Sequence, residues 1–162
     1  MTLRIRTALP EEHLGLLDLV TAGYAEFDGL LPEDYPFLED AAALMAGERT
    51  EVIVAEADGV PVGTITFCPD GESYHEGVPS DWAGLRTLAV LPSARGLGAG
   101  RALMNESLRR ARALGRTRML LHTLPAMTAA IALHESLGFR RVPDLDFVYS
   151  PDLVFVAYAL DL

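Results

Sequence analysis

The feature that most constrains this chain is a glycine-rich turn between an apolar segment and a helical one. The apolar segment, LRTLAVLP, covers residues 85–92, and the turn follows directly as SARGLGAGRAL over residues 93–103. Three glycines alternate with other residues between two arginines, and these five positions are Arg95, Gly96, Gly98, Gly100 and Arg101. Glycine at every second position frees the backbone where a strand would pass into a helix. A strand, a tight turn and a helix are therefore expected in immediate succession.

The turn has the chemistry of an anion-binding site. A strand that ends at Pro92 and re-enters as a helix near Gly98 leaves the first helical N–H groups without acceptors, and the helix dipole favours negative charge there. Glycine removes the Cβ atoms that would keep a phosphate away, and Arg95 and Arg101 can donate to phosphate oxygens. A turn that only reverses the chain explains the glycines equally well, so both interpretations stay open on the glycines alone.

Two common phosphate-binding motifs are excluded by spacing and composition. The Rossmann motif requires glycines at the first, third and sixth positions, but the sixth residue counted from Gly96 is Arg101. A P-loop requires Gly-Lys followed by Ser or Thr, and this chain contains no lysine. Both exclusions weaken the hypothesis of a nucleotide-binding domain.

Length and composition favour one globular domain. The chain has 162 residues, of which 50% are hydrophobic, enough for one core, so residues 1–162 are expected to form a single domain. No apolar run approaches the roughly 20 residues that span a bilayer, and the amino terminus lacks the apolar core of a signal peptide. A cytoplasmic protein without a membrane partner is expected. The lone cysteine, Cys68, can form neither an internal disulfide nor a metal site by itself, so a packed structural thiol and no metal are expected.

The charge is divided unevenly along the chain, although the formal total is −10. Residues 1–80 hold 16 Asp and Glu against 3 Arg, a net charge of −13, whereas residues 81–162 hold 7 against 10, a net charge of +3. A nucleic-acid binder usually shows a strong basic surplus, which argues against nucleic acid as a partner. The asymmetry favours a small anionic ligand on the side of the second half. Most acidic residues of the first half are expected to lie on solvated helix faces.

Hydrophobic periodicity in the first half predicts a strand, two helices and a hairpin. LRIRTA alternates like a strand, and the helix PEEHLGLLDLVTAGYAEF is expected to place an apolar stripe at Leu14, Leu17, Val20 and Tyr24. A second helix is predicted from Phe37 to Met45. Two β-branched segments, TEVIVAEA and VPVGTITFC, flank Asp58-Gly59, which is a strong signal for an antiparallel hairpin. Residues 69–83 are predicted to form a long polar loop.

The second half predicts strands alternating with helices. The helix after the glycine turn is expected to have an apolar face of Leu103, Met104, Leu108, Ala111 and Leu114. RMLLHTL is the next strand, and the helix TAAIALHESLGF is expected to have a stripe of Ala130, Leu133, His134 and Leu137. FVYS and LVFVAYAL supply the last two strands. Together these elements predict an α+β fold with a mixed sheet and helices on both faces.

The turn and the segments around it resemble the GNAT superfamily of acetyl-CoA-dependent N-acetyltransferases. The family's pyrophosphate motif has Arg or Gln, two residues, Gly, one residue, then Gly or Ala, which Arg95, Gly98 and Gly100 satisfy. LRTLAVLPSARGLGAGRALM resembles the family's fourth strand and cofactor loop, and TAAIALHESLGFRRV resembles its later helix with a Gly-Phe ending. This resemblance covers roughly residues 84–142. It implies a mostly antiparallel sheet of about six to seven strands, with LRTLAVL and RMLLHTL as a splayed parallel pair around the cofactor.

The resemblance also implies an activity, which is direct transfer of an acetyl group from acetyl-CoA to a primary amine. It implies that Leu88, Ala89 and Val90 present backbone groups to the pantetheine arm, and that the N–H of Val90 or a neighbour stabilises the oxyanion. The residues implied to wrap the pyrophosphate are Arg95, Gly96, Leu97, Gly98, Ala99, Gly100 and Arg101. The expected acceptor is a small-molecule or peptide amine, and a homodimer is left open.

Two departures from the family pattern affect the proton-transfer groups. Where many members carry the tyrosine that protonates the coenzyme A thiolate, this chain has His134, and the asparagine often found seven residues earlier is Met127. His134 is the candidate general acid, with a packed core histidine as the alternative. Gly84 occupies the position of an acidic residue that often begins the fourth strand. The general base therefore stays unassigned, and the candidates in the preceding loop, each of which also fits a solvated loop residue, are Glu72, His75, Glu76 and Asp81.

The acceptor is the least constrained part of the prediction. Aromatic and acidic side chains that could line its pocket are Tyr24, Phe27, Asp28, Tyr35, Phe37, Tyr74 and Trp82. The acidic residues among residues 1–80 favour a cationic amine as the acceptor. A second hypothesis, from a different class, is a sensor or partner module that binds acyl-CoA without turnover, because it would keep the phosphate cradle and lack a working acid and base.

Overall fold

The computed structural model describes residues 2–27, 29–30, 32 and 35–162. The helices are α1 (His13–Tyr24), α2 (Phe37–Met45), α3 (Gly71–Tyr74), α4 (Ala99–Ala113) and α5 (Thr128–Ser136). The strands are β1 (Leu3–Thr7), β2 (Glu51–Ala57), β3 (Val60–Cys68), β4 (Trp82–Val90), β5 (Arg118–Thr123), β6 (Arg140–Arg141), β7 (Phe147–Ser150) and β8 (Leu153–Asp161). None of the helices in this part of the chain is long and apolar enough to cross a membrane.

The strands form one mixed sheet in the order β1-β2-β3-β4-β5-β8-β6, and β7 pairs with β8 away from this path. Every pairing is antiparallel except that of β4 with β5. The predicted α+β fold with a mostly antiparallel sheet and one parallel pair is thus confirmed. The sheet has eight strands rather than six to seven because the two-residue strand β6 follows α5 and pairs with β8.

The parallel pair separates partway along its length. Trp82–Leu85 of β4 pairs with Arg118–Leu121 of β5, and beyond these residues the two strands no longer pair. β4 continues along β3 to Val90, and β5 continues along β8 to Thr123. The carboxyl ends of two neighbouring strands therefore diverge within one sheet, which leaves an opening between them.

A β-bulge lies in β4 where the separation begins. Arg86 pairs with Thr66 and Ala89 pairs with Thr64, so two residues of β4, Thr87 and Leu88, lie opposite a single residue of β3. Thr87 has a φ of 58°, in the left-handed region that non-glycine residues rarely adopt. A bulge with such a residue bends the strand and re-aims its backbone groups, which helps to open the gap.

Helices cover both faces of the sheet. α4 packs its buried residues Leu103, Met104, Leu108 and Ala111 onto one face. α1 covers the other face with Leu16, Leu19, Val20 and Gly23 as its buried residues. The sequence prediction for these helix faces is wrong at Leu14, which is 80% exposed, and at Leu114, which is 48% exposed. Leu114 is the residue that caps α4, so it lies beyond the last turn that faces the sheet.

Local turn chemistry accounts for two further connections. Asp58 and Gly59, with φ values of 51° and 83°, close the predicted hairpin between β2 and β3 as a two-residue turn. The predicted polar loop of residues 69–83 is more ordered than expected. It contains the single-turn helix α3, which Asp70 caps by accepting from the backbone N–H of Ser73, and β4 already begins at Trp82.

Candidate active site

A cavity of about 1500 Å³ opens where β4 and β5 separate. On one side it is bounded by residues 95–101, which we call the cradle, and by α5. On the other side it is bounded by four aromatic side chains, which we call the aromatic wall, namely Tyr35, Phe147, Tyr149 and Phe155. The end of α1 and the bulged part of β4 lie between these two sides. The cavity thus connects a site suited to an anion with a site suited to an organic group.

The cradle ends in a helix N-terminus with free N–H groups. Gly98 is the N-cap of α4 in the left-handed conformation, with a φ of 85°, and no side chain caps it. The first helical bond runs from the N–H of Ala102 to the carbonyl of Gly98. The N–H groups of the three residues between them, Ala99, Gly100 and Arg101, have no acceptor within the helix. These donors, together with the dipole of a 15-residue helix, provide the anion-binding potential expected from the sequence.

The two arginines of the cradle are tied to neighbouring helices. The guanidinium of Arg95 donates to the carbonyl of Gly23 at 3.1 Å and forms an ion pair with Glu26 at 2.6 Å. The guanidinium of Arg101 donates to the hydroxyl of Ser136 at 2.8 Å. Both arginines line the cavity, and so do all other residues of the cradle except Leu97, which is exposed. A pyrophosphate in the cradle would compete with Glu26 for Arg95.

The backbone of β4 presents polar groups to the cavity. The N–H of Leu91 donates to Val62 of β3, and backbone groups alternate in direction along a strand, so those of Val90 face the opening left by β5. The carbonyl of Leu88 faces the same way and accepts from the hydroxyl of Tyr24 at 2.9 Å. Gly23 lets α1 approach this strand, because an added Cβ would lie 3.1 Å from that of Ala89.

His134 is buried beside the cavity and is the only buried residue of α5. Its side chain is 5% exposed, and Nδ1 has no hydrogen-bond partner among the described residues. Burial lowers the pKa of this imidazole to about 4, so the ring is neutral at pH 7. A packed core histidine would normally have a satisfied nitrogen, and this one does not. This Nδ1 is itself buried, so it does not distinguish the candidate general acid from a packed core histidine.

Tyr74 explains why β4 contains a glycine where an acidic residue was expected. The ring of Tyr74 stands directly on Gly84, since a Cβ added at Gly84 would lie 2.2 Å from the ring. An acidic side chain at Gly84 would occupy the same space. The acidic group that often begins this strand in the family is thus replaced here by the aromatic ring of a residue from α3.

The Tyr74 hydroxyl belongs to a hydrogen-bond chain at the end of β5. It lies 2.5 Å from Nδ1 of His122, and Nε2 of His122 lies 2.7 Å from the carbonyl of Leu145. The guanidinium of Arg86 lies over the Tyr74 ring, 4.8 Å from its centroid. Sequence analysis did not select His122 or Arg86. The signal was available, because each is a titratable side chain that directly follows apolar residues of a strand segment.

The general-base candidates of the loop before β4 fall into two groups. His75 and Glu76 line the cavity. Glu72 forms an ion pair with Arg49 at 3.0 Å, and Asp81 accepts from the hydroxyl of Thr117. Glu72 and Asp81 both lie in a separate cleft at the amino end of β4. Glu72 and Asp81 are therefore too remote for a role in the cavity.

The aromatic candidates are also divided by the structure. Tyr24, Phe27, Tyr35, Phe37 and Tyr74 line the cavity. Trp82 does not, because it packs at the start of β4 under the guanidinium of Arg118. Asp28 lies outside the described residues. The aromatic wall adds three residues that the sequence analysis had assigned only to the last two strands, namely Phe147, Tyr149 and Phe155.

The aromatic wall is held together by ring contacts. Tyr35 meets Tyr149 edge to face with centroids 4.8 Å apart, and it packs against Phe155 at 5.5 Å. Phe155 in turn packs against Phe147 at 6.2 Å.

Cys68 lies outside the cavity and is buried, and this burial raises the pKa of its thiol to about 12, which keeps it protonated.

Comparisons with known proteins agree with this geometry. The sequence profile of the Acetyltransferase (GNAT) family matches residues 16–139. A mycothiol acetyltransferase of Thermobispora bispora is 34% identical over 105 residues, which are 65% of this chain and 30% of that protein. The matched part of the chain thus spans 30% of the length of this relative.

Solved structures share the fold over nearly the whole chain. A ribosomal-protein-alanine N-acetyltransferase from Brucella melitensis superposes with a TM-score of 0.74 at 25% identity, covering 98% of this chain and 99% of that one. The yncA protein from Salmonella typhimurium, solved with its cofactor acetyl-CoA, superposes with a TM-score of 0.72 at 21% identity, covering 99% and 94%.

Proposed function

Because the chain belongs to the GNAT family of acetyltransferases, we propose that it transfers an acetyl group from acetyl-CoA directly to a primary amine. The observation that carries this proposal is the opening between β4 and β5, which faces a helix N-terminus with free N–H groups. We also propose that residues 1–162 act as one domain, since all described strands join one sheet. Acetyl-CoA is a cytoplasmic metabolite, so we propose the cytoplasm as the site of action.

The residues of the cavity fit acetyl-CoA. The free N–H groups of Ala99, Gly100 and Arg101 would hold the pyrophosphate, and Gly98 has no Cβ to prevent its approach. The outward-facing backbone groups of Val90 and the carbonyl of Leu88 would hold the pantetheine arm. Bound there, acetyl-CoA supplies an acetyl thioester, which an amine can attack without a covalent enzyme intermediate.

The chain itself orients the reactants and handles charge. The N–H of Val90, which faces the opening, is the proposed donor to the oxygen on which negative charge develops. Tyr24 keeps this part of β4 in place by donating to the carbonyl of Leu88. Holding two reactants in one cavity contributes through proximity and orientation.

His134, the candidate general acid of the sequence, is proposed to donate a hydrogen bond to the leaving thiolate. Its lowered pKa, about 4, means that a neutral imidazole N–H and not an imidazolium is available at pH 7. A neutral imidazole that gave up this proton would become an imidazolate, which is a far stronger base than a thiolate. His134 would therefore stabilise the departing sulfur by donating a hydrogen bond, while solvent supplies the proton. The position of His134 in the lining of the cavity supports the proposal.

The acceptor is proposed to be a small-molecule or peptide amine. One relative is called a mycothiol acetyltransferase, whereas one similar structure is a ribosomal-protein-alanine N-acetyltransferase. These names point to a small molecule in one protein and to a protein amine in the other. The aromatic wall would contact the organic part of either kind of acceptor.

The test is release of coenzyme A thiol from acetyl-CoA with a panel of small amines, amino acids and peptides with free amino termini. We expect thiol release that depends on the amine, and an N-acetylated product by mass spectrometry. Binding of acetyl-CoA is measured separately by calorimetry. Binding without turnover across the panel would favour the acyl-CoA sensor, and absence of binding would contradict both functions.

A further inference from the structure

We propose that Tyr74 and His122 form the proton-accepting pair for the acceptor amine, an inference that rests on the acetyltransferase activity proposed above. It goes beyond that activity because it assigns the general base to a tyrosine and a histidine that lie 48 residues apart in the chain and meet only in the fold.

The pair lies where the two parallel strands part. Leu85 and Leu121 are the last paired residues of β4 and β5, so His122 is the first residue of β5 beyond the pairing. Tyr74 reaches the same point from α3 because Gly84 leaves room for its ring. Both side chains line the cavity, on the side of the aromatic wall.

The hydrogen bonds define which atoms carry protons. The carbonyl of Leu145 can only accept, so Nε2 of His122 carries a hydrogen and donates to it. In the neutral ring Nδ1 then holds a lone pair, and the Tyr74 hydroxyl donates to it. The phenolic oxygen of Tyr74 keeps its own lone pairs for a donor in the cavity.

The surrounding charges favour this resting state. Burial lowers the pKa of His122, Arg86 and His75 lower it further, and the Leu145 carbonyl and Asp146 raise it in part. Burial raises the pKa of the Tyr74 hydroxyl, against which the guanidinium of Arg86 acts. At pH 7 the pair is therefore a protonated phenol and a neutral imidazole, which together can take up one proton.

The neutral amine attacks the acetyl carbonyl carbon, and its N–H becomes acidic as the new C–N bond forms. The C–S bond of the thioester then breaks and releases the coenzyme A thiolate. The phenolic oxygen of Tyr74 accepts the amine proton while its own proton passes to Nδ1 of His122. The resulting imidazolium is stabilised by the carbonyl of Leu145 and by the charge of Asp146. It returns the proton to solvent after the acetylated amine leaves.

The other cavity candidates for this role are less well placed. His75 is exposed, and its Nδ1 contacts the backbone carbonyl of Glu76 at 2.9 Å. Glu76 is also exposed. Neither contacts the diverging ends of β4 and β5 through a described hydrogen bond, whereas Tyr74 and His122 are both anchored there.

The test compares Tyr74→Phe and His122→Gln with the wild-type protein, using the best amine from the panel. The matched controls are Tyr158→Phe, a buried tyrosine of the core outside the cavity, and His13→Gln, at the start of α1. Tyr74→Phe keeps the ring that packs on Gly84. We expect each test variant to lower kcat by about 100-fold, the lower end for general base catalysis, and the controls to leave it unchanged.

Two further readouts separate catalysis from packing. The double variant should be no slower than the slower single variant, because both residues serve one relay. In wild-type protein kcat should fall on the acid side below pH 6.5, as His122 becomes protonated, and His122→Gln should lose this limb. Arg86, His75 and Asp146 also act on the His122 ring. The variants His75→Gln and Glu76→Gln check that the fall of kcat in acid belongs to His122, because both should keep it.

Nuclear magnetic resonance tests the pair without any substrate. In the free protein at pH 7, ¹⁵N shifts should show His122 as the neutral tautomer with hydrogen on Nε2, and Tyr74→Phe should change its Nδ1 shift. A cationic ring, hydrogen on Nδ1, or variants as active as wild type would overturn the proposal. Absence of turnover in wild-type protein itself would instead contradict the proposed function.

Discussion

At the scale of single residues, His134 shows how burial decides chemistry. The same side chain on an exposed helix face would be half protonated near pH 6.5. Here burial lowers its pKa to about 4 and leaves Nδ1 without a partner. The residue can act as a neutral donor at neutral pH, and its protonation in acid would cost stability because the charged ring would be buried.

His134→Phe is expected to lower kcat by about tenfold to a hundredfold while leaving the affinity for acetyl-CoA nearly intact. The effect is placed at or below the usual range for general acids because a thiolate is a fairly good leaving group. His134→Tyr should restore part of the rate, since its hydroxyl can donate. Turnover assays with calorimetry of acetyl-CoA binding check both. A folded Phe variant with wild-type kcat would make His134 a packing residue.

At the scale of elements, α4 is a helix with left-handed glycines at both ends. Gly98 caps its start with a φ of 85°, and Gly115 follows its end with a φ of 72°. Neither would meet another atom within 4 Å if a Cβ were added. The two glycines therefore carry the same conformational demand, but only Gly98 lies in the cradle. Comparing the same substitution at Gly98 and at Gly115 therefore separates its effect on the backbone from its effect on ligand binding.

Gly98→Val is expected to weaken acetyl-CoA binding by about tenfold or more, because the side chain would block close approach to the free N–H groups of α4. Gly115→Val is the control. Both variants should lose stability by a similar amount, about 1–2 kcal/mol for a left-handed residue with a side chain. Calorimetry and thermal unfolding measure the two effects. Equal affinity of the two variants would mean that the cradle does not hold the cofactor.

At the scale of the whole molecule, charge is arranged around the cavity. The acidic first half contributes Glu26, Asp40 and Glu76 to its lining, and the second half contributes Arg86, Arg95 and Arg101 together with Asp144 and Asp146. Glu26 is held by Arg95 across this boundary. The division of charge along the sequence is therefore kept only in part around the cavity, since Arg86 lies over Tyr74 on the side of the aromatic wall. A cationic amine and a polyanionic cofactor would each meet opposite charge.

The KM for a cationic acceptor is expected to rise with salt, by up to about fivefold, because attraction between partly exposed charges is worth up to about 1 kcal/mol and is screened over about 10 Å at 0.1 M. Initial rates at saturating acetyl-CoA measure it. Glu76→Gln should reduce the salt dependence, and Glu48→Gln, which lies outside the cavity, should not. A best acceptor that is anionic, or a KM insensitive to salt, would contradict the idea.

The sequence by itself determined the features that depend on neighbouring residues. The hairpin at Asp58-Gly59, the helix from Phe37 to Met45 and the glycine turn before α4 follow from backbone preferences within a few positions, and the structure has all three. The order of these elements, with the motif of Arg95, Gly98 and Gly100, was enough to identify the family and hence the fold.

Only the tertiary structure decided which distant groups meet. Strand register ends the pairing of β4 and β5 after four residues, and this separation creates the cavity. Packing places Tyr74 on Gly84 and against His122, and turns Arg95 toward Glu26. No local pattern encodes such contacts, because each depends on how separate elements pack against one another in the fold. The glycine turn could therefore be predicted from the sequence, whereas the proton-accepting pair could not.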